Sequence, residues 1–230
     1  MKISLVHPSR SRPAMAKRAY QNWMSKISKK HEIEHILSLD FSDPQNDEYE
    51  RFDKITIDHN TCLVEAVNEG AKIATGDILI VLSDDFNCPQ DWDDLIVQAF
   101  GDQKCKLLKV FDGTQPWIIT LPIMDREYYN SQGYMYFPAY KHMFADTHMS
   151  HKGDLENNII WRNDLIFPHN HYSTGKVEKD EVNTRADNTW GQGEFVYLSQ
   201  VKMNFGLSNV NVFNIHENGS HHTHWLRAKL

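Results

Sequence analysis

Cysteine is scarce in this chain, and the few present form no pattern. Cys62, Cys88 and Cys105 are odd in number and lack any CxxC spacing. That excludes a disulfide framework and a zinc knuckle and fits reduced thiols in a cytoplasmic protein. No apolar run is long enough to span a bilayer, so no transmembrane segment is predicted. The amino terminus enters a strand-like run, KISLV, with no signal-peptide core ahead of it. Basic residues are in deficit: 24 Lys and Arg against 31 Asp and Glu give a formal charge of -7 with the 13 His neutral. A surface built around neutralising a nucleic-acid backbone is therefore disfavoured. What remains is ordinary globular material. A hydrophobic content of 40% with six Trp in 230 residues suits one α/β domain with one large core.

The stretch that organises the chain is 76–85, GDILIVLSDD. Its unbroken apolar run, 78–82, reads as a strand buried on both faces, the position of a central strand in a parallel sheet. It ends in Ser83, Asp84 and Asp85, and adjacent carboxylates cannot share a dry interior without a positive partner. Ligands of open α/β sheets bind beyond the carboxyl ends of the strands. Acids placed there point to a hard divalent cation, since Mg²⁺ and Mn²⁺ favour carboxylate oxygen and leave positions for a substrate phosphate. Taken alone, an Asp pair after a strand is as easily a turn or a helix cap.

Around that strand, the pattern alternates strand and helix. Residues 2–7 read as a first strand and 8–13 as a stiff polar loop. A helix follows with Ala16, Tyr20, Trp23 and Ile27 as its apolar stripe, and Lys26, Lys29 and Lys30 complementing its dipole. Residues 34–40 give a second strand ending in Asp40, 42–51 a polar loop, and 54–58 a third strand. Thr61 is the expected cap of a helix carrying Val64, Val67, Ala71 and Ala74, which Gly76 stops. Asp91 is the expected cap of another, with Trp92, Leu95, Ile96 and Ala99 buried. Two strands, 107–111 and 117–122, flank the turn signal of Asp112 and Gly113. Residues 125–152 read as short helices and loops, and 165–167 as a brief strand. A charged loop follows, then a final helix over 194–205. The tail carries a strand-like Val210, Val212 and Ile215, and a solvated His221, His222 and His224. The alternation predicts a wound, mostly parallel α/β sheet in a single domain.

Several separated segments together resemble one known arrangement. The run 66–70, AVNEG, then 74–78, ATGDI, then 82–85, LSDD, looks like the helix, turn and DxD strand of family-2-like GT-A glycosyltransferases of compact bacterial and bacteriophage type. Pro8, Ser9 and Arg10 after the first strand resemble their nucleotide-binding loop, and Asp40 is similar in position to the acid that contacts the base. Asp146, within 144–148, FADTH, falls about where the family carries its catalytic carboxylate. His169, Asn170 and His171, followed by Gly175 and Asp180, look like the late metal-ligand segment. The likeness covers roughly residues 3–180. Ser83 stands where the first acid of DxD would fall, which leaves the metal mainly to Asp85, with Asp84 supplementary.

The resemblance implies a metal-dependent, inverting hexosyl- or pentosyltransferase that moves a sugar from a nucleotide-diphosphate donor, a UDP-sugar above all, to a hydroxyl acceptor. It implies a GT-A-like fold over 1–230, with 1–112 the nucleotide-sugar half and 113–230 the acceptor half and tail. The cofactor would be Mn²⁺ or Mg²⁺, held by Asp85 with His169 or His171, two positions apart and so on one side of an extended segment. Pro8, Ser9, Arg10, Arg12, Asp40, Asn68, Ser83 and Asp84 would face the donor. Asp146 would be the base that takes the acceptor proton, with Asp154 as a fallback. Trp117 and Tyr128, Tyr129, Tyr134, Tyr136 and Tyr140 are either a platform for sugar or base, or core packing. The acceptor would be a glycan, a lipid or modified DNA, the last by a bacteriophage enzyme acting on hydroxymethylated bases. Two other classes compete. One is nucleotidyl transfer, which would want glycine in the loop 8–13, where there is none. The other is an inactive module that binds sugar nucleotide or glycan, a reading that Ser83 favours.

Overall fold

The computed structural model describes residues 1–49, 54–57 (as backbone), 61–175 and 177–208. The strand and His tract expected of the tail lie outside the described residues. In chain order the elements are β1 (Lys2–Ser9), α1 (Pro13–Ser25), β2 (Glu32–Asp40), β3 (Lys54–Ile57), α2 (Leu63–Ile73), β4 (Ile78–Val81), α3 (Trp92–Phe100), β5 (Leu107–Phe111), β6 (Ile123–Asp125), α4 (Arg126–Gln132), α5 (Ala145–Leu155), β7 (Ile159–Ile166), α6 (Glu181–Asp187) and α7 (Trp190–Lys202). They build one 7-stranded sheet in the order β3-β2-β1-β4-β6-β5-β7. Among these strands β6 alone runs against its neighbours β4 and β5, while the other pairings are parallel. The carboxyl ends of β1, β2, β4, β5 and β7 therefore share one edge, and the site lies there.

β4 is buried on both faces, as its apolar run predicts. Ile78, Ile80 and Leu82 pack with Trp23, Trp92 and Ile96 on one side. Leu79 and Val81 pack with Val67, Ala71 and Met124 on the other. Pro8 is tolerated inside β1 for a local reason. The Val6 carbonyl accepts from Leu82 N, so even-numbered residues of β1 turn their backbone groups toward β4. Pairing with β4 ends at Val6 and Val81, and the missing N–H of Pro8 removes no ladder bond.

Several expected elements are corrected. α1 stops at Ser25, and Lys26 leaves the dipole to reach the Cys88 carbonyl at 2.7 Å. α2 ends at Ile73, three residues before Gly76. Gly76 is required instead by close approach, because a Cβ there would meet Ser4 N at 2.7 Å. Cys62, not Thr61, is the cap position of α2, and Thr61 bonds Glu65. Asp91 caps no N–H with its side chain and sits at φ 57. Residues 117–122 form no strand; the sheet takes Ile123–Asp125. The charged loop holds α6, and the brief strand at 165–167 is the end of the 8-residue β7.

Candidate active site

The strand ends enclose a cavity of about 830 Å³. Pro8, Ser9, Arg10, Arg12, Asp40, Ser83, Asp84, Asp85, Asp146, His169 and His171 all line it. Eleven of the twelve residues expected from the sequence are thus brought together. Asn68 is the exception. Its Oδ1 accepts from Met135 N and Tyr136 N, both at 3.0 Å, and its Nδ2 donates to the Tyr136 carbonyl at 2.7 Å. It braces the segment that carries Tyr136 into the cavity, and does not face it.

Asp85 leaves the end of β4 and meets His169 beyond the end of β7. His169 Nε2 lies 3.1 Å from Asp85 Oδ2, and Ser83 Oγ donates to Asp85 Oδ1 at 2.7 Å. Backbone bonds zip the two segments together: Asn87 N donates to the Pro168 carbonyl and Asn170 N to the Asp85 carbonyl, each at 2.9 Å. The His169 ring stacks on Phe86 with centroids 4.1 Å apart. Asp112, just past β5, stands on its other side, Oδ2 being 3.9 Å from His169 Nδ1. Burial by itself would depress the imidazole, but Asp112 and Asp85 outweigh it and raise its pKa to about 9. Burial likewise opposes ionisation of Asp85, yet the hydrogen bond and charge of His169, with Ser83, hold its carboxyl below the usual range. His171 is set back, its ring 5.1 Å from that of His169 and its Nδ1 accepting from Ser173 Oγ at 2.8 Å.

Asp84 behaves differently from Asp85. Its two oxygens are taken by His7 Nε2 at 2.8 Å and Ser9 Oγ at 2.9 Å. Asp40 is engaged too. Arg10 reaches its Oδ2 at 2.6 Å and Arg185 at 3.3 Å, while Ser42 N and Oγ donate to Oδ1. Asp146 occupies the first turn of α5, following Phe144 at φ 71. That corner packs against α7 at Gly193, where any Cβ would fall 2.2 Å from the Met143 carbonyl. Burial pushes the Asp146 carboxyl up, against hydrogen bonds from Thr147. Asp154, the fallback base, sits on the last turns of α5 and is not among the lining residues. Of the expected aromatic platform, Tyr136 lines the cavity; Tyr128, Tyr129 and Tyr140 are buried core, and Trp117 packs on Trp161.

Asp85 and His169 fit a divalent cation in their chemistry and spacing. Two ligands about 2.1 Å from one ion stand about 3 Å apart, close to the 3.1 Å found. Among the described residues no three His, Cys, Asp or Glu side chains are so placed that together they could hold a metal ion.

Asp112, His142 and Arg185 line the site without having been expected. Asp112 was open to detection, since it follows a strand at the binding edge just as Asp85 does. His142, driven down to about 4 by burial and then by Arg12, carries no pattern that marks it.

The chain matches the model of glycosyl transferase family 2 over residues 28–180 and belongs to that family. No curated protein matches it in sequence. Similar solved structures include the mannosyltransferase PcManGT from Pyrobaculum calidifontis in complex with GDP-Man and Mn²⁺, 12% identical with a TM-score of 0.60, over 86% of this chain and 64% of that one. TarS 1–349 of S. aureus in complex with UDP is 15% identical with a TM-score of 0.56, over 73% and 59%. Glucosyl-3-phosphoglycerate synthase from Mycobacterium tuberculosis, in complex with Mn²⁺, UDP and phosphoglyceric acid, is 14% identical with a TM-score of 0.56, over 82% and 77%. This chain spans less than two thirds of the first two. The GT-A fold expected from the sequence is the one found. Among the described residues no helix is long and apolar enough to cross a membrane.

Proposed function

We propose that this chain is a metal-dependent, inverting glycosyltransferase that takes a sugar from a UDP-sugar and passes it to a hydroxyl acceptor. The observation that carries the reading is the Asp85 and His169 pair, 3.1 Å apart at the carboxyl edge of the sheet, in one cavity with Asp146. A bound Mn²⁺ or Mg²⁺ would supply Lewis-acid stabilisation of the charge on the departing diphosphate. Asp85 and His169 would hold that ion, and Ser83 and Phe86 fix the orientation of their side chains. Arg12 offers its guanidinium to phosphate. Asp40 offers a carboxylate to the N–H of the base, and Pro8 and Ser9 shape the loop between them.

Asp146 takes the acceptor proton. Burial raises its pKa, which makes it a better proton acceptor than an exposed carboxylate. Other carboxylates of the cavity have both oxygens engaged or an ion pair: Asp84 with His7 and Ser9, Asp112 with Thr114, Gln115 and Thr120, Asp40 with Arg10, and Asp187 with Lys179. Thr147, by contrast, bonds only Oδ1 of Asp146. The nucleotidyl-transfer reading falls behind, since Pro8 and the strand-like β1 replace a glycine cradle. The test is a screen of donor hydrolysis with a panel of nucleotide sugars and Mn²⁺, followed by Asp146→Asn on the best donor. Turnover should fall by roughly 10²–10⁴-fold with the donor affinity kept. Full activity in Asp146→Asn would move the base elsewhere.

A further inference from the structure

α6 occupies two of the groups that the donor needs. We propose that Asp180 and Arg185 form a clasp that competes with the nucleotide diphosphate for Arg12 and Asp40 and so sets donor affinity. The inference rests on the nucleotide-sugar reading of the cavity.

At one end of α6, Arg12 donates Nε to Asp180 Oδ2 at 2.7 Å and Nη2 to Oδ1 at 2.6 Å. Toward the other end, Arg185 Nη2 donates to Asp40 Oδ2 at 3.3 Å and to the Thr61 carbonyl at 2.6 Å. The charges are crossed. α6 offers an acid to the cation of the β1–α1 loop and a cation to the acid that ends β2. Val182, Asn183 and Ala186 of the same helix line the cavity, so the helix lies along the space the donor would fill. Its hold is local as well: Asp187 accepts from Lys179 at 2.6 Å and from Tyr172 at 2.7 Å.

Each pair occupies a group in the geometry its ligand would use. The guanidinium fork accepts carboxylate and phosphate alike, so Asp180 and a diphosphate are alternative partners of Arg12. The Arg12 side chain is 11% exposed and lines the same cavity as Asp84, Asp85 and His169. Asp40 has Ser42 on Oδ1 and two arginines on Oδ2. Of those, Arg10 at 2.6 Å is the closer and Arg185 at 3.3 Å the looser, so a base N–H displaces Arg185. The α6 partners, Asp180 and Arg185, are each 40% exposed. Each pair joins a partly exposed group of α6 to a largely buried group of the cavity, so a diphosphate on Arg12 or a base N–H on Asp40 would satisfy the buried group in its place.

The test is calorimetry of UDP with Mn²⁺, and of inorganic pyrophosphate with Mn²⁺, on the wild type, Asp180→Asn, Arg185→Gln and the double variant. Asn keeps the cap on α6, since its side-chain oxygen can still accept from Asn183 N, and the circular dichroism spectrum verifies the fold. Asp180→Asn should bind both UDP and pyrophosphate about three- to fivefold more tightly, the scale of a single partly exposed ion pair. Arg185→Gln should raise the ratio of UDP to pyrophosphate affinity, because pyrophosphate has no base to use Asp40. A wild type that binds nothing while the double variant binds UDP would show the same competition in a stronger form. If the wild type binds UDP and Asp180→Asn binds it equally or less tightly, the clasp is refuted and the donor site stands. If neither wild type nor double variant binds UDP, the UDP-sugar reading fails and takes the clasp with it.

Discussion

Asp84 Oδ1 accepts a hydrogen bond from His7 Nε2 at 2.8 Å. His7 is fully buried, and its Nδ1 lies 3.0 Å from His35 Nε2. The acid next to Asp85 is therefore a tie between the end of β4 and the interior of β1, through a pair of histidines. Asp84→Ala should cost about 2–4 kcal/mol of stability, because it leaves the buried His7 N–H without its acceptor. Thermal melts check this. Asp85→Ala should show the opposite emphasis, with a smaller loss of Tm and a larger loss of Mn²⁺-dependent UDP binding. Equal melting of Asp84→Ala and wild type would contradict the tie.

The raised pKa of His169 gives metal binding a pH slope of defined sign. With its pKa near 9, the ring is protonated at pH 7 in the metal-free protein and must lose that proton to bind an ion. Mn²⁺ affinity in the presence of UDP should rise about tenfold per pH unit from pH 7 to 9 and then level off. The metal-free protein behaves in the opposite sense. The folded pKa lies above the unfolded value of about 6.5, so this stabilisation is fully present below about 6.5 and is lost as pH rises through 9. His169→Asn should flatten both profiles. A wild-type affinity independent of pH over this range would remove His169 from the metal.

Acid should weaken the fold through two other histidines. Burial, then the charge of His7, drives His35 down to about 3. Burial, then Lys152 and His151, does the same to His148, which stacks on Phe137 at 4.9 Å. Both folded values are depressed, so their contribution is present above about pH 6.5 and is lost as pH falls toward 3. Each group costs at most about 1.4 kcal/mol per pH unit in that window. His148→Phe should melt less steeply with acid than wild type between pH 6.5 and 4.5, even if it is somewhat less stable at pH 7.5. Parallel Tm profiles would show that His148 does not titrate on unfolding.

What the sequence could announce was what local pattern encodes. β4 is apolar at every position and carries acids at its end, so both strand and site were legible there. Pro8, Ser9 and Arg10 after β1, and Asp40 at the end of β2, were visible for the same reason. α6 was not, because Val182 and Ala186 alone cannot draw an apolar stripe over seven residues. β6 has 3 residues, too few for alternation, and it borrows its place from β4 and β5 on either side. Asn68 read as a polar helix face near the site, while its role depends on Met135 and Tyr136, 67 and 68 positions away. Ser83 looked like the loss of an acid. In the fold its hydroxyl orients Asp85, a relationship that only the turn after β4 creates.

The central claim is that Asp85, with His169, bridges the donor diphosphate through a divalent cation. Calorimetry of UDP binding, with Mn²⁺ and then with EDTA, on wild type and Asp85→Ala tests it most directly. The account predicts wild-type binding that needs Mn²⁺ and is lost in EDTA, and an Asp85→Ala variant that binds poorly in both. Equal UDP affinity with and without metal, or wild-type affinity in Asp85→Ala, would contradict it.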